Sequence, residues 1–351
     1  MSIPWSSSKR GFTELLCRTF RRGRWVALGV ALMPAGLGAA EAQQMQPAPA
    51  AQMDVQTRIV IQDIPSVNEK DHTFQLTGLL ELQWQDPRVA PGVYVEQQAE
   101  AALANIWHPD LEFDNERDPR KSENQVLAIR EGGNVTWQER FDSQLSTSFD
   151  LRRLPFDEQH LNLILQTFSL DKGMIHLKAG AGSEISPEVV LPEWNVAGLT
   201  AQEHLAERNE ANRYSELLYT ITIERRPGFY FYSIVIPSLL VVLVAFASLW
   251  YDRKQYNAIV GPGVSCMLVL IALSFTMSSY LPRVSYVTAL SRFSLQCYVF
   301  VFLCIMANTI VHVALHEGQD AQSNRLRKFF QILLPAGFVV SNAVIVVEAL
   351  R

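Results

Sequence analysis

The stretch Asp150–Leu163, DLRRLPFDEQHLNL, contains an unusually apolar turn, and this turn is the starting point for dividing the chain into domains. Its centre, Leu154-Pro155-Phe156-Asp157, is a turn signal between two runs of alternating polar and apolar residues, which predicts a tight link between two strands. Turns usually expose polar side chains, yet this one carries two large apolar side chains around a proline. The turn therefore covers a small local core, or its apolar tip rests on an apolar surface outside its own domain.

The sequence on both sides of this turn repeats the alternating pattern, from about residue 50 to Arg226. Turn residues such as Pro91-Gly92 and Gly132-Gly133-Asn134 separate the runs. Period-two runs at this spacing, with no helical stripe of comparable length, predict an antiparallel β-sandwich of the immunoglobulin-like type, which we place at residues 43–227.

After Arg225-Arg226-Pro227 the composition changes to four apolar segments, each long enough to cross a bilayer. We predict an all-α four-helix transmembrane domain at residues 228–351, with helices at about 228–250, 255–281, 289–315 and 326–348. Basic residues fall in the first and third links, at Arg253-Lys254 and at Arg325, Arg327 and Lys328. This pattern predicts a cytoplasmic side at those links, with the sandwich and the C-terminus on the opposite side.

The N-terminus has the pattern of a signal peptide, which we place at residues 1–42. A basic stretch from Arg18 to Arg24 precedes an apolar stretch from Trp25 to Leu37, and Ala40-Glu41-Ala42 offers a small-x-small cleavage site. A first membrane anchor is the alternative, but the apolar stretch is shorter than the roughly 20 residues of a span. The four cysteines lie in this segment or in the apolar C-terminal segments, so we expect no disulfides in the exported part.

Composition and motifs exclude several classes of function. The net charge of -5, without a basic stripe, argues against a nucleic-acid partner. The exported half has no H-E-x-x-H, no G-x-S-x-G and no cysteine–histidine arrangement, and the histidines are scattered. We therefore predict no enzyme, no catalytic residues, no metal site and no cofactor.

The second apolar segment has one unusual face. Steps of four and three residues place six side chains on that face: Gly261, Ser265, Leu268, Ala272, Phe275 and Ser279. A lipid-facing stripe has no reason to hold serines, whereas a packed or water-lined face does. From composition alone, helix packing through small residues is the favoured interpretation.

Six motifs, in order, give the chain a family resemblance: Trp84-Gln-Asp86-Pro-Arg88, Trp107-His-Pro109-Asp110, Leu154-Pro155-Phe156-Asp157, Arg225-Arg226-Pro227, Pro237 and Leu281-Pro282-Arg283. The chain resembles the pentameric ligand-gated ion channels (the Cys-loop receptor superfamily), most closely the prokaryotic members, from about Ile59 to Val347. The cysteines that flank the proline loop in animal receptors would fall at Thr147 and Leu161, so the loop disulfide is absent.

The resemblance implies that the second segment lines a pore, in place of simple helix packing. Leu268 takes the position of the hydrophobic gate, where a ring of leucines blocks ions by dewetting. The family's selectivity region falls at Asn257, Ala258 and Ile259, none of which is charged. Bacterial relatives lean towards cations, and we expect the same preference here.

The resemblance also implies a coupling cluster between the sandwich and the pore. Glu69, Asp157 and Arg225 fall at its positions, while Pro155, Phe156 and Pro282 belong to the joint that transmits movement. For any single charged residue an ordinary surface position is the better interpretation. Three at matching positions argue for an acid–base cluster that biases a two-state element.

The implied ligand site lies between neighbouring sandwiches. Phe168 and Tyr214 match two of its aromatic positions, where an amine would gain cation–π energy, and Asp114 could pair with the ammonium. The alternative is that both rings belong to the sandwich core.

As a whole, the resemblance implies a homopentamer in a bacterial inner membrane, with the N-terminal domain and C-terminus periplasmic. Its partners would be membrane lipid, inorganic ions, and a small-molecule agonist such as an amine, or protons. The alternative is a membrane-anchored periplasmic sensor or assembly protein that uses the same domain without ion conduction.

Overall fold

The computed structural model describes residues 52–167, 175–209, 212–251 and 256–350. The side chains at 205–209, 212–214 and 256–259 lie outside that description, as do the predicted signal peptide at 1–42 and the predicted ligand residue Phe168.

The first half of the described chain is a two-layer β-sandwich. One sheet has the order β3-β5-β6-β2-β1-β8, with β9 paired to β1, and the other has the order β10-β11-β7-β4. The strands are β1 (Met53–Asn68), β2 (Thr73–Gln85), β3 (Gly92–Val95), β4 (Leu111–Phe113), β5 (Lys121–Arg130), β6 (Asn134–Ser146), β7 (Glu158–Thr167), β8 (Ile175–Ala179), β9 (Glu184–Ile185), β10 (Trp194–Asn209) and β11 (Asn212–Arg225). A short helix, α1 (Gln97–Leu103), follows β3.

Most strand pairs in the sandwich are antiparallel, as the alternating pattern predicts. The exceptions are β8 and β9, which run parallel to β1. Antiparallel neighbours can be joined by a tight turn, whereas parallel neighbours need a longer crossover, and β8 follows β7 of the opposite sheet. The alternating pattern identifies strands but not their partners, so these pairs were not predicted.

The sandwich core is built from the apolar side chains of the alternating runs. Phe74, Leu76 and Phe141 are almost completely buried between the sheets. Trp84, Trp107 and Trp137 are buried as well. This apolar core extends into the membrane-facing end of the domain, where Leu154 and Tyr230 belong to the same cluster.

The side chain of Asn115 joins the two sheets. Its Nδ2 donates to the carbonyl oxygens of Ser146 on β6 (2.8 Å) and Asn162 on β7 (2.7 Å), and its Oδ1 accepts from the N–H of Ile164 at 3.2 Å. Ser146 and Asn162 adjoin Thr147 and Leu161, the positions of the missing disulfide. One amide therefore joins the same two strands by hydrogen bonds.

Four long helices follow the sandwich: α2 (Gly228–Trp250), α3 (Tyr256–Tyr280), α4 (Ala289–His316) and α5 (Asp320–Leu350). All four are long and apolar enough to cross a membrane. Helix α2 contains a π-helical turn at Phe231–Val235, which ends two residues before Pro237, whose missing N–H interrupts the regular hydrogen-bond ladder.

Helix α5 begins at Asp320 rather than near residue 326, because the charged link before the apolar segment is itself helical. The charged start of α5 has a defined contact with α2. Arg327 Nε and Gln331 Nε2 both donate to the carbonyl oxygen of Leu249, at 2.8 and 3.1 Å. They satisfy one of the carbonyls that the end of a helix leaves without an intrahelical partner.

Helix α4 packs against each of the other three. Its Cys297, Val301 and Cys304 are buried in a cluster that also contains Cys266 of α3. These three cysteines are unpaired and buried, so they act as small apolar side chains.

Candidate coupling, pore and ligand sites

The junction between the sandwich and the membrane helices holds a buried arginine, Arg225, whose side chain is 0% exposed. The β11–β7 register pairs Glu224 with Glu158, so Asp157 lies beside Arg225. Arg225 Nε and NH2 donate to Asp157 Oδ1 (2.7 Å) and Oδ2 (2.9 Å), and NH1 donates to Glu69 Oε1 at 2.6 Å. The structure thus brings together the three charged residues that the sequence singled out.

Other side chains complete the cluster around Arg225, and sequence reasoning missed them. The guanidinium carbon lies 4.1 Å from the ring centre of Trp194 and 5.5 Å from that of Tyr230. Gln159 Nε2 donates to Asp157 Oδ2 at 2.6 Å. Trp194 pairs with Arg225 across β10 and β11, so only knowledge of the register would have identified it. Two carboxylates therefore accept hydrogen bonds from the guanidinium, and two aromatic rings lie within cation–π distance of it.

The charges of this cluster do not balance, because two carboxylates share one guanidinium. Burial raises the pKa of Glu69, and the hydrogen bond and charge of Arg225 offset only part of that effect. Burial would lower the pKa of Arg225, but Asp157 and Glu69 outweigh it and hold that pKa above its usual value. Glu69 is consequently the member that takes up a proton at a higher pH than a solvent-exposed glutamate does.

The proline loop, Asp150–Asp157, is docked on the start of α4. The N–H groups of Ala289 and Leu290 donate to the carbonyl oxygens of Arg152 (2.9 Å) and Leu154 (3.2 Å). These first-turn N–H groups have no partner within their own helix. The loop around Pro155, which follows a cis peptide bond, therefore caps a membrane helix.

The same loop also holds the end of α5. Phe156 packs with Ala289, Ile345 and Ala349, and Arg153 Nε donates to the carbonyl oxygen of Ala349 at 3.0 Å. The apolar tip thus rests outside its own domain. It lies where α4 begins and α5 ends, further along the chain than Pro282, near which the sequence placed it.

The link between α3 and α4, which begins after Tyr280, contacts the loop through Tyr286. The Tyr286 hydroxyl accepts a hydrogen bond from the N–H of Leu151 at 2.9 Å. Pro282 is half-buried in this link. The sandwich therefore contacts α4, α5 and the α3–α4 link through one loop.

The predicted pore face lies on the uncovered side of α3. Its six residues are all exposed: Gly261, Ser265, Leu268, Ala272, Phe275 and Ser279. Leu268 and Phe275 are 62% and 72% exposed, whereas Cys266 and Leu270 on the opposite side are buried. On the buried side of α3, the Tyr298 hydroxyl of α4 donates to the carbonyl oxygen of Leu270 at 2.9 Å and so links the two helices.

The predicted ligand site can be placed only through Asp114, which directly follows β4. Gln166 Nε2 donates to Asp114 Oδ1 at 2.7 Å and to Glu112 Oε1 at 2.8 Å. Tyr214 lies on β11, opposite Ala206, but its side chain is outside the described part of the structure. The sequence reasoning missed Glu112, although its spacing of two residues from Asp114 was a readable signal. Two carboxylates therefore flank one amide at the end of β4.

Comparison with known proteins agrees with this architecture. Residues 42–227 match the neurotransmitter-gated ion-channel ligand binding domain, and residues 234–343 match the neurotransmitter-gated ion-channel transmembrane region. The first match alone covers more than half of the chain. The chain therefore belongs to the neurotransmitter-gated ion-channel family, and it is a multi-pass membrane protein of the ligand-gated channel class.

Two relatives illustrate the relationship. A proton-gated ion channel of Gloeobacter violaceus is 28% identical over 304 residues, which cover 84% of this chain and 82% of the relative. The pH-sensitive chloride channel 2 of Drosophila melanogaster is 24% identical over 290 residues, which cover 77% of this chain and 55% of the fly protein.

Proposed function

We propose that this chain forms a homopentameric ion channel whose pore is lined by α3. The observation that carries the proposal is the uncovered face of α3, which combines the two serines with Leu268 and Phe275. Within one subunit Leu268 is largely exposed, while the opposite side of α3 is buried against α4. A five-fold ring directs this face towards its axis, where the serine hydroxyls hydrate passing ions.

The gate in this proposal is a ring of Leu268 side chains that excludes water in the closed state. The pore passes small monovalent ions with a preference for cations. The exposed α3 face carries neither a basic nor an acidic side chain, so charge rings on that face do not fix the preference.

Protons are the proposed stimulus. Both relatives described above are named for their response to protons or pH. In this chain, Glu69 is a largely buried carboxylate with a raised pKa at the junction that would transmit gating. A ligand shifts a two-state equilibrium only through its different affinities for the two states. Protons meet this condition if Glu69 leaves its buried position in one of them.

An amine agonist is the second candidate, and Glu112 and Asp114 favour it. Their carboxylates converge on one amide of Gln166, beside the strand ends that lead to Phe168 and Tyr214. An ammonium group placed there would gain two carboxylate acceptors and, over an aromatic ring, about 0.5–2 kcal/mol of cation–π energy.

The orientation follows from charge. Arg325, Arg327 and Lys328 at the start of α5 favour a cytoplasmic position for that end of the helix bundle. We place residues 43–227 and the C-terminus on the periplasmic side of a bacterial inner membrane, after removal of residues 1–42, with residues 228–351 forming the membrane domain.

Reconstitution in planar bilayers tests this function. Purified protein, shown to be pentameric by native mass spectrometry, is stepped from neutral to acidic pH in asymmetric salt. A series of amines is then applied at neutral pH. We expect an acid-evoked current whose reversal potential lies near that of the cation. A current evoked only by amines would select the second agonist. Pentamers without current under any condition would favour a sensor or assembly protein.

A further inference from the structure

A polar cleft of about 380 Å³ lies in the sandwich, and none of the side chains of the Arg225 cluster lines it. It is lined by His72 from the β1–β2 turn, Arg117 and Asn115 from the segment after β4, Thr147 and Ser148 from the segment between β6 and the proline loop, and residues of β6 and β7. No carboxylate lines it. The charged or titratable side chains of its lining are therefore one arginine and one histidine.

The floor of the cleft has few unused polar groups. Asn115 donates to Ser146 and Asn162, as described above, and Thr147 Oγ1 donates to the carbonyl oxygen of His160 at 3.0 Å. These bonds tie the floor to both sheets. The floor is consequently a fixed surface.

The rim, in contrast, has unused donors. Within the described chain, the guanidinium of Arg117 and the hydroxyl of Ser148 make no hydrogen bond or ion pair. The backbone N–H of Arg117 donates to Gln144 at 2.8 Å, so the residue is anchored although its side chain is exposed. The ring of His72 lies 6.1 Å from that of Phe149, and its carbonyl oxygen accepts from the N–H of Thr147 at 2.9 Å. Three donor-bearing side chains therefore line one cleft, and backbone hydrogen bonds hold Arg117 and His72 in place.

We propose that this cleft binds a phosphate-type oxyanion. The planar guanidinium of Arg117 matches two oxygens of such a group, and Ser148 and His72 supply further donors to the remaining oxygens. The cleft is larger than a phosphate group alone, and it adjoins the turn that contains Glu69 and the loop that contacts the membrane helices. The same chemistry can come from free phosphate or from the phosphate of a lipid headgroup.

Occupancy would connect two elements of the junction. His72 follows Glu69 in the β1–β2 turn, and Ser148 precedes the proline loop. An anion bound to both fixes the distance between these elements, so it stabilises one arrangement of the junction over others.

Thermal unfolding of the intact protein in nanodiscs tests the site without depending on ion conduction. Inorganic phosphate is titrated in discs of phosphatidylcholine, and a second series replaces part of the lipid with phosphatidylglycerol. A stabilising shift from phosphate assigns a free oxyanion, and a shift from phosphatidylglycerol alone assigns a lipid headgroup. Either result supports the site if it depends on Arg117.

Substitutions of the cleft residues show whether the stabilising shift depends on Arg117. Arg117→Gln is expected to weaken the effect about tenfold or more, Arg117→Lys to restore part of it, and Ser148→Ala to weaken it less. Arg130→Gln, which removes another exposed arginine of the sandwich, is the matched control and keeps the wild-type response. Absence of any shift, or equal shifts in Arg117→Gln and the wild type, overturns the proposal.

Discussion

At the scale of single residues, Arg225 shows why the junction depends on a complete set of partners. A buried ion pair gains little over well-packed apolar residues, but removing one partner costs about 3–5 kcal/mol because the other charge is left buried and alone. Here both carboxylates and two aromatic side chains surround one guanidinium. In the function proposed above, this cluster is the element that would exist in two arrangements.

Glu69 should give the stability of this cluster a dependence on pH. The pKa of Glu69 is raised in the folded protein. At pH values between the ordinary glutamate pKa and this raised pKa, Glu69 therefore carries a proton in the folded state more often than in the unfolded state. Stability must then fall as the pH rises through that window. Glu69→Gln removes the titration and keeps an acceptor for Arg225. We expect thermal unfolding of this variant to lose that pH dependence.

The matched control is Glu131→Gln, at an exposed turn position, which should keep the wild-type slope. Unfolding temperatures of wild type and Glu69→Gln that run parallel from acidic to neutral pH would remove Glu69 from the list of proton-binding groups.

A pair of neighbouring glycines tests backbone strain in the β5–β6 turn. Both have positive φ, +83° at Gly132 and +77° at Gly133. A Cβ at Gly133 would lie 2.2 Å from the carbonyl oxygen of Asp86, whereas one at Gly132 meets nothing within 4 Å. We expect Gly132→Ala to cost about 1 kcal/mol of stability from conformation alone. Gly133→Ala should cost about 3 kcal/mol or more, because it must also move backbone. Denaturant unfolding followed by tryptophan fluorescence measures both, and equal costs would contradict the clash.

At the scale of elements, the proline loop joins the sandwich to two membrane helices at once. Its carbonyl oxygens cap α4, and Arg153 donates to the carbonyl oxygen of Ala349 near the end of α5. Arg153 and Arg152 are neighbours with different environments, since Arg152 forms an exposed pair with Asp150 and lies over the ring of Tyr286.

This difference predicts different effects on α5. Arg153→Gln should release the final turn of α5 and speed amide hydrogen exchange there about tenfold, while Arg152→Gln should leave that exchange unchanged. Mass spectrometry of peptides covering residues 340–350 provides the measurement. Equal protection in both variants would mean that Phe156 packing alone holds the helix end.

The elements also show what the sequence can predict. Alternating runs and apolar segments identify strands and membrane helices because burial imposes a period of two in one and a continuous apolar stretch in the other. The meeting of Glu69, Asp157 and Arg225 was predicted from the resemblance. The packing of Trp194 on Arg225 and the parallel β1–β8 pair were not, because both depend on register between distant segments. The early start of α5 was missed because its first turns are polar.

At the scale of the whole molecule, the proposed function requires several copies of the chain to bring the uncovered face of α3 together on one axis. A leucine ring blocks ions because its apolar surface expels water from the constriction. Leu268→Ser puts a hydroxyl in that ring and should open the closed pore more readily, shifting activation towards about tenfold lower stimulus. Val269→Ser, next to it but off the predicted face, is the matched control and should leave activation near the wild type.

Channels assembled from a mixture of wild-type and Leu268→Ser subunits report how many subunits form the ring. If each Leu268→Ser subunit wets one sector of the same constriction, each adds a similar increment to the free energy that favours the open state. Single channels recorded from membranes that contain both subunits should then fall into discrete activation classes, one more than the number of subunits. For a homopentamer, the classes correspond to channels with none to all five of their subunits substituted. A face that contacts lipid or packs within one subunit predicts one continuous population instead.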